Sequence, residues 1–264
     1  MARFGVAATA PFGADVLERL AARYEIAFCL TRADRPRGRG RRLGPPPAKE
    51  VADRLGIPVL QPERLTPDVE LGAEDVVAVA YGRIVPRELL DAHEWWNVHP
   101  SLLPRWRGAA PVERAIMAGD RETGVTIIRL VEELDAGPIA AQQAFPIAVD
   151  DDAGAVYASA APLAVELVEE ALGTRALRPQ PADGVTYADK IVPEDRQIDW
   201  TRLPEQIVDQ VRALSPHIGA RAELQGRPVT VWRASVVDGR VVPLEVQPDG
   251  GRRMTYDEWL RGLR

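Results

Sequence analysis

Short apolar runs alternating with amphipathic stretches organise the first half of this chain. Residues 3–8 read as a buried strand, 13–23 as a helix with Val16, Leu17 and Leu20 on one face, and 24–30 as a second strand. Strand-helix-strand is the opening of an α/β sheet. A helix over 48–55 stopped by Gly56 follows, then a short strand over 57–60 and a continuous apolar run over 75–80. An uninterrupted run of that kind suits a central parallel strand covered on both faces. Residues 95–98 give the next strand, and 111–118 a helix with Pro111 in its first turn and Gly119 beyond its last. Two β segments over 124–130 and 139–147 and a long helix over 153–172 complete a pattern that predicts a Rossmann-like, open, mostly parallel α/β sheet.

The pattern then breaks. Residues 178–184 are rich in proline and glycine and carry no apolar period, as a linker would. Beyond them come a helix over 204–214, strand candidates over 219–225, 228–236 and 241–247, and a short helix over 256–263. The expected organisation is an α/β domain over 1–177, a linker over 178–203 and a small β domain over 204–264.

Composition narrows the function. With 46% hydrophobic and 27% charged residues the chain is ordinary for a globular protein, and with no basic-then-apolar leader it is expected to be cytoplasmic. Cys29 is the only cysteine and has apolar neighbours, so an intrachain disulfide is excluded and a buried, inert thiol is expected. The three histidines, His93, His99 and His217, have no zinc-site spacing, and metal-free chemistry is expected. The turn Ala8-Thr9-Ala10-Pro11-Phe12-Gly13 after the first strand is neither G-x-G-x-x-G nor a P-loop, which argues against a dinucleotide-dependent dehydrogenase. A net charge of -6 argues against general nucleic-acid affinity, yet residues 32–49 carry +6 by themselves.

One run stands out: Asn97-Val98-His99-Pro100-Ser101-Leu102-Leu103-Pro104-Arg105-Trp106-Arg107-Gly108, followed by Leu134-Asp135-Ala136-Gly137. Asn97 and His99 lie two apart at a strand end, so their side chains project to the same side if the strand continues. An isolated Asn-x-His reads as a turn bond beside a half-buried histidine. An amide, an imidazole and a carboxylate on two loops are also a sufficient kit for moving an acyl group between nitrogens.

The longer signature decides between these. Asn97-x-His99-x-Ser101-Leu102-Leu103-Pro104-x-Trp106-Arg107-Gly108-Ala109-Ala110-Pro111 with Leu134-Asp135-x-Gly137 resembles the folate-dependent formyltransferases, most of all the branch that acts on tRNA. The resemblance extends to Asp34-Arg35-Pro36-x-Gly38-Arg39-Gly40, Pro45-Pro46-Pro47-Ala48-Lys49, Gly56-Ile57-Pro58-Val59, Val79-Ala80-Tyr81-Gly82, Thr186-Tyr187-Ala188-Asp189-Lys190-Ile191 and Ile198-Asp199-Trp200. It implies 10-formyltetrahydrofolate as formyl donor and the α-amino group of initiator methionyl-tRNA as acceptor, in a monomer that needs no metal. It places the catalytic trio on Asn97, His99 and Asp135, and the folate-contacting segment on Ser101, Leu102, Leu103 and Pro104. It implies further that the basic loop, with Arg35, Arg37, Arg39, Arg41 and Arg42, grips the tRNA acceptor end, while Trp106 and Arg107 suit stacking on a terminal base.

The α-amine of a methionyl group whose carboxyl is esterified titrates at roughly 8, so no strong base is required to make it a nucleophile. The tetrahedral oxyanion needs the help, and Asn97 and His99 are the expected donors to it, with Asp135 orienting His99 and collecting the amine proton. Sugar-nucleotide N-formyltransferases, glycinamide ribonucleotide formyltransferases and a non-catalytic relative that binds RNA or folate share parts of this pattern. The arginine loop and Trp106-Arg107-Gly108-Ala109-Ala110-Pro111 favour tRNA. At the C-terminus only Val236 to Val242 separate two segments that the family's barrel holds further apart. An internal deletion leaving a truncated, incomplete OB-like module is therefore expected, with sheet edges that need covering.

Overall fold

The computed structural model describes residues 3–37 and 42–263, which form two compact units. The first comprises Met1–Arg107, Gly124–Ala144 and Ala158–Thr186; the second comprises Gly108–Thr123, Phe145–Tyr157 and Tyr187–Arg264.

In chain order, β1 (Arg3–Ala8), α1 (Pro11–Ala21) and β2 (Glu25–Leu30) precede a two-stranded ribbon of β3 (Arg35–Arg37) and β4 (Arg42–Gly44). Then come α2 (Pro47–Leu55), β5 (Val59–Leu60), β6 (Asp75–Val79), α3 (Arg87–Ala92) and β7 (Glu94–His99). β8 (Arg107–Gly108), α4 (Pro111–Met117), β9 (Glu122–Arg129), β10 (Ile139–Pro146), α5 (Ala153–Thr174) and β11 (Tyr187–Ala188) follow. The main sheet has seven strands in the order β10-β9-β7-β6-β1-β2-β5. β7, β6, β1, β2 and β5 run parallel, while β9 is antiparallel to β7. The chain leaves β1 first toward β2 and later returns to its other side with β6, so the strand order reverses between β1 and β6. Ligand crevices of open α/β sheets lie at the carboxyl ends beside such a reversal.

The continuous apolar runs become the buried strands: Val6, Ala7, Val76, Val77 and Val79 are all sealed from solvent. Helix α1 begins at Pro11, two residues earlier than the apolar period suggests, because proline suits the first helical turn. Gly13 in that turn lets the helix lie against β6, since a Cβ there would stand 2.4 Å from the Val79 carbonyl oxygen. The basic segment, expected as a loop, is instead a ribbon whose arms pair Arg35 with Gly44 and Arg37 with Arg42. No described helix is long and apolar enough to cross a membrane.

The second unit gathers α4, a 3-10 turn at Glu194–Arg196, α6 (Pro204–Ala213) and a four-stranded antiparallel sheet. The strands β12 (Ala220–Leu224), β13 (Arg227–Val237), β14 (Arg240–Pro248) and β15 (Met254–Thr255) lie in that order, and α7 (Tyr256–Arg261) follows. Val211, Leu214, Ala220, Val229, Val231, Val246 and Trp259 form its core, with Met117, Ile191 and Ile198 packed against it. Both sides of the β12–β14 sheet are met in part. Gln197 bridges to Arg221 and the Ile198 N–H donates to the Arg221 carbonyl at 2.9 Å along β12, while β15, a strand absent from the apolar pattern, pairs with β14 on the far side. A reciprocal Thr255–Glu258 capping box starts α7. Arg114 of α4 grips Asp195 through Nη1 at 3.0 Å and Nη2 at 2.7 Å. The Tyr157 hydroxyl donates to Glu113 Oε2 at 3.1 Å, and burial pushes the Glu113 carboxyl above its ordinary range.

Candidate active site

Strand β7 carries both residues of the Asn-x-His pair to the carboxyl end of the sheet. Asn97 stands between Ala78 of β6 and Ile128 of β9, and His99 opposite Thr126. Alternation along the strand sends the two side chains to one side, as the spacing predicts. His99 is only 3% exposed, and its Nε2 lies 2.8 Å from the Trp106 carbonyl oxygen. A carbonyl can only accept, so Nε2 carries a proton and Nδ1 is the ring atom left for chemistry. Nδ1 faces Asp135 Oδ2 at 3.6 Å, and Asp135 Oδ1 accepts from Asn97 Nδ2 at 3.2 Å. The Asn97 side chain's second N–H and its Oδ1 have no protein partner among the described residues. The trio picked out in the sequence is thus one cluster, with the carboxylate touching both partners.

The Leu-Leu-Pro turn is built inward. Ser101 is fully buried, with Oγ donating to the Arg105 carbonyl at 2.7 Å and its own carbonyl accepting from Thr126 Oγ1 at 2.6 Å. Leu103 packs with Ile128 and Ile139, and its carbonyl accepts from Gln142 Nε2 at 2.9 Å. The side chains of Ser101 and Leu103, which the resemblance assigns to folate contact, thus also hold the turn. Leu102 and Pro104 keep partial exposure.

Asp135 sits on a tight excursion between β9 and β10 with a left-handed φ of 47°. Gly137 closes the excursion, and no other residue fits: a Cβ there would lie 1.7 Å from the Arg129 carbonyl oxygen. Gln180, from the proline-rich passage expected to be a linker, donates its Nε2 to the Asp135 carbonyl at 2.7 Å and the Gly137 carbonyl at 2.8 Å. Its Oε1 accepts from Arg107 Nε at 3.1 Å and Nη2 at 2.8 Å, while Arg107 Nη1 reaches Glu133 Oε1 at 3.3 Å. Arg107, suggested by the sequence for stacking on a terminal base, is 8% exposed and turned into this network. Gln180, Glu133, Thr126 and Gln142 carry no signal in the sequence, because each acts through a partner far along the chain.

Trp106 is half-buried with a left-handed φ of 65°, its N–H donates to Thr186 Oγ1 at 2.9 Å, and the Arg105 guanidinium lies 4.3 Å from its ring centre. Arg35 is exposed on the ribbon, and the backbones of Arg37 and Arg42 complete it; Arg39 and Arg41 lie outside the described residues. Where β6 ends, Arg32 lies over Gly82, and burial raises the Tyr81 phenol. Cys29 is sealed in the core, and burial pushes its thiol up to about 12.

The family model described as "Formyl transferase" matches residues 5–172, and that of the "Formyl transferase, C-terminal domain" matches 190–241. The chain is 41% identical to the methionyl-tRNA formyltransferase of Dechloromonas aromatica, over 97% of its own length and 94% of the relative's. Among solved structures, the methionyl-tRNA formyltransferase from Clostridium thermocellum superposes with a TM-score of 0.70 at 17% identity, covering 94% of this chain and 99% of that one. HypX from Aquifex aeolicus, solved in complex with tetrahydrofolic acid, gives 0.67 at 19% identity, covering 98% of this chain and 46% of that one.

Proposed function

This chain belongs to the formyl transferase family, and from that premise we propose that it transfers the formyl group of 10-formyltetrahydrofolate to the α-amino group of initiator methionyl-tRNA in the cytoplasm. The observation that carries the reading is the single carboxylate of Asp135, which meets the Asn97 amide with one oxygen and the His99 ring with the other.

The folate supplies the formyl carbon and departs as tetrahydrofolate. Residues of this chain supply the rest. The unpartnered N–H of Asn97 points to the formyl oxygen, and His99 joins it through Nδ1–H in its imidazolium form, since Nε2 is tied to Trp106. Losing one donor to a developing oxyanion costs roughly 2.7 to 4 kcal/mol in comparable sites. Asp135, beside Nδ1, stabilises the imidazolium and, through a water, takes the proton that the amine nitrogen sheds as it bonds to the formyl carbon. Asp135 then passes that proton to the folate nitrogen as the bond between that nitrogen and the formyl carbon breaks, so the site ends as it began. Acid–base help of this kind is worth about 10²- to 10⁴-fold.

Leu102 and Pro104 meet the folate, while Ser101 and Leu103 shape the turn that presents them. Arg35, Arg37, Arg39, Arg41 and Arg42 of the basic segment, with Trp106, contact the acceptor end of the tRNA. The organisation that serves this is a catalytic domain over 1–177, a connection over 178–203 and a C-terminal β domain over 204–264, acting as a monomer without a metal. The test is transfer of labelled formyl from 10-formyltetrahydrofolate to initiator methionyl-tRNA, beside elongator methionyl-tRNA and an amino-sugar nucleotide. Transfer to the initiator alone is expected. Transfer to the sugar nucleotide alone would replace the acceptor, and no transfer with folate still bound would leave a binding protein.

A further inference from the structure

The proposed catalytic geometry depends on where Asp135 stands, at a sharp turn of the β9–β10 excursion. Its left-handed φ is an unfavourable conformation for a residue with a side chain. Two of the bonds that hold this turn come from a residue far along the chain.

We propose that Arg107 and Gln180 form a positioning device that sets Asp135 against His99 and Asn97. The inference rests on the formyl-transfer reading above. Only one orientation of the Gln180 amide satisfies its surroundings. Arg107 can only donate, so Oε1 faces the guanidinium; the carbonyls of Asp135 and Gly137 can only accept, so Nε2 faces the loop. Arg107 also reaches the largely exposed Glu133 side chain on the same excursion, so its contacts fall on both sides of Asp135. The residue before Arg107 is Trp106, whose carbonyl takes the His99 Nε2–H at 2.8 Å. Both residues are tied down through Thr186, which receives the Trp106 N–H on Oγ1 and the Arg107 N–H on its carbonyl at 2.9 Å each. One dipeptide therefore indexes His99 through its backbone and Asp135 through its side chain, and the 3.6 Å between Nδ1 and Oδ2 is set from that common reference.

Gln180→Met removes the bonds at nearly constant length. A displacement of order 1 Å in a reacting group costs about 10²-fold, so kcat should fall by about that factor with KM for both substrates little changed. Gln180→Glu keeps the acceptor for Arg107 but turns carboxylate oxygen against two carbonyls, and should lose kcat in the same way; it serves if the methionine variant does not fold. Arg107→Met combined with Gln180→Met should cost little more than either alone, as expected of two residues acting as one unit. NMR titration of the His99 ring gives a readout independent of the acceptor, and the ring should titrate at a different pH in each folded variant. Wild-type kcat in either folded Gln180 variant, or an unmoved His99 titration, overturns the proposal. So does a rise in KM for tRNA alone in Arg107→Met, which would return Arg107 to the tRNA surface. If the wild type transfers no formyl group, the functional reading fails, and the His99 titration still decides the positioning role.

Discussion

Asp135 and Glu113 are both carboxylates kept largely from water, one in each unit, and they are held in opposite ways. Asp135 receives an amide N–H and faces an imidazole, with backbone fixed by Gln180. Glu113 has a tyrosine hydroxyl for company, and burial dominates its behaviour and raises it. The first arrangement collects groups whose charge or proton can change during a reaction. The second joins two helices of the fold and does nothing that a neutral group could not do. Burial is common to both, so it is the chemistry of the partners that sets Asp135 apart as the proposed working carboxylate.

The largest test of this contrast is Asp135→Ala. Its kcat should fall by about 10² to 10⁴, while the chain still folds, with a modest loss of thermal midpoint because alanine suits the left-handed φ less well than aspartate and the Asn97 N–H loses its acceptor. A variant with nearly full turnover would remove the contrast. Next comes Arg114→Ala, in the same helix as Glu113. It strips a two-pronged grip from Asp195, a carboxyl that Arg114 holds below its ordinary value, and frees two backbone carbonyls, of Asp189 and Lys190. Loss of a charged hydrogen-bonded pair of this kind should cost about 1.5 to 3 kcal/mol of stability and leave kcat untouched, which denaturation and formyl transfer on one preparation would show together.

Glu113→Gln is the smallest and the most specific. A carboxyl raised in the folded state holds its proton when the unfolded chain has already released it, so wild-type stability falls as pH rises from the ordinary carboxylate range to the raised value. Above that value the loss is complete. Glutamine keeps an acceptor for Tyr157 without a charge to bury, so the slope should vanish and stability near neutral pH should rise by up to about 1 kcal/mol. A variant less stable than wild type at every pH would show that the charge is wanted there.

Much of the fold is legible in the sequence. The strands β1 and β6 announce themselves as unbroken apolar runs, and α5, read as 153–172, closes at Thr174. That Asn97, His99 and Asp135 come together is legible through their setting in a long signature, and the burial of Cys29 through its neighbours. What stays hidden depends on pairs distant in the chain. Trp106–Thr186 and Arg107–Gln180 are 80 and 73 residues apart, and neither end shows a period that reveals the other. The two-residue strands β8, β11 and β15 are too short to alternate visibly, and α3 makes barely more than a turn. Arg107 reads as a surface cation because arginine usually is one; its burial follows from a glutamine in a passage that reads as filler.

That same passage bears on how the protein comes into being. A ribosome emits Asn97, His99 and Asp135 well before Gln180 and Thr186, so a nascent chain stopped at residue 177 holds the proposed trio but lacks the partners that contact it. On the positioning proposed above, alignment of the trio waits for residues 180–188 to lie along Trp106, Arg107 and Gly108. A cut at the exposed Asp183 would test the converse in the finished molecule, with all the chemistry still present and its alignment left to two loose ends.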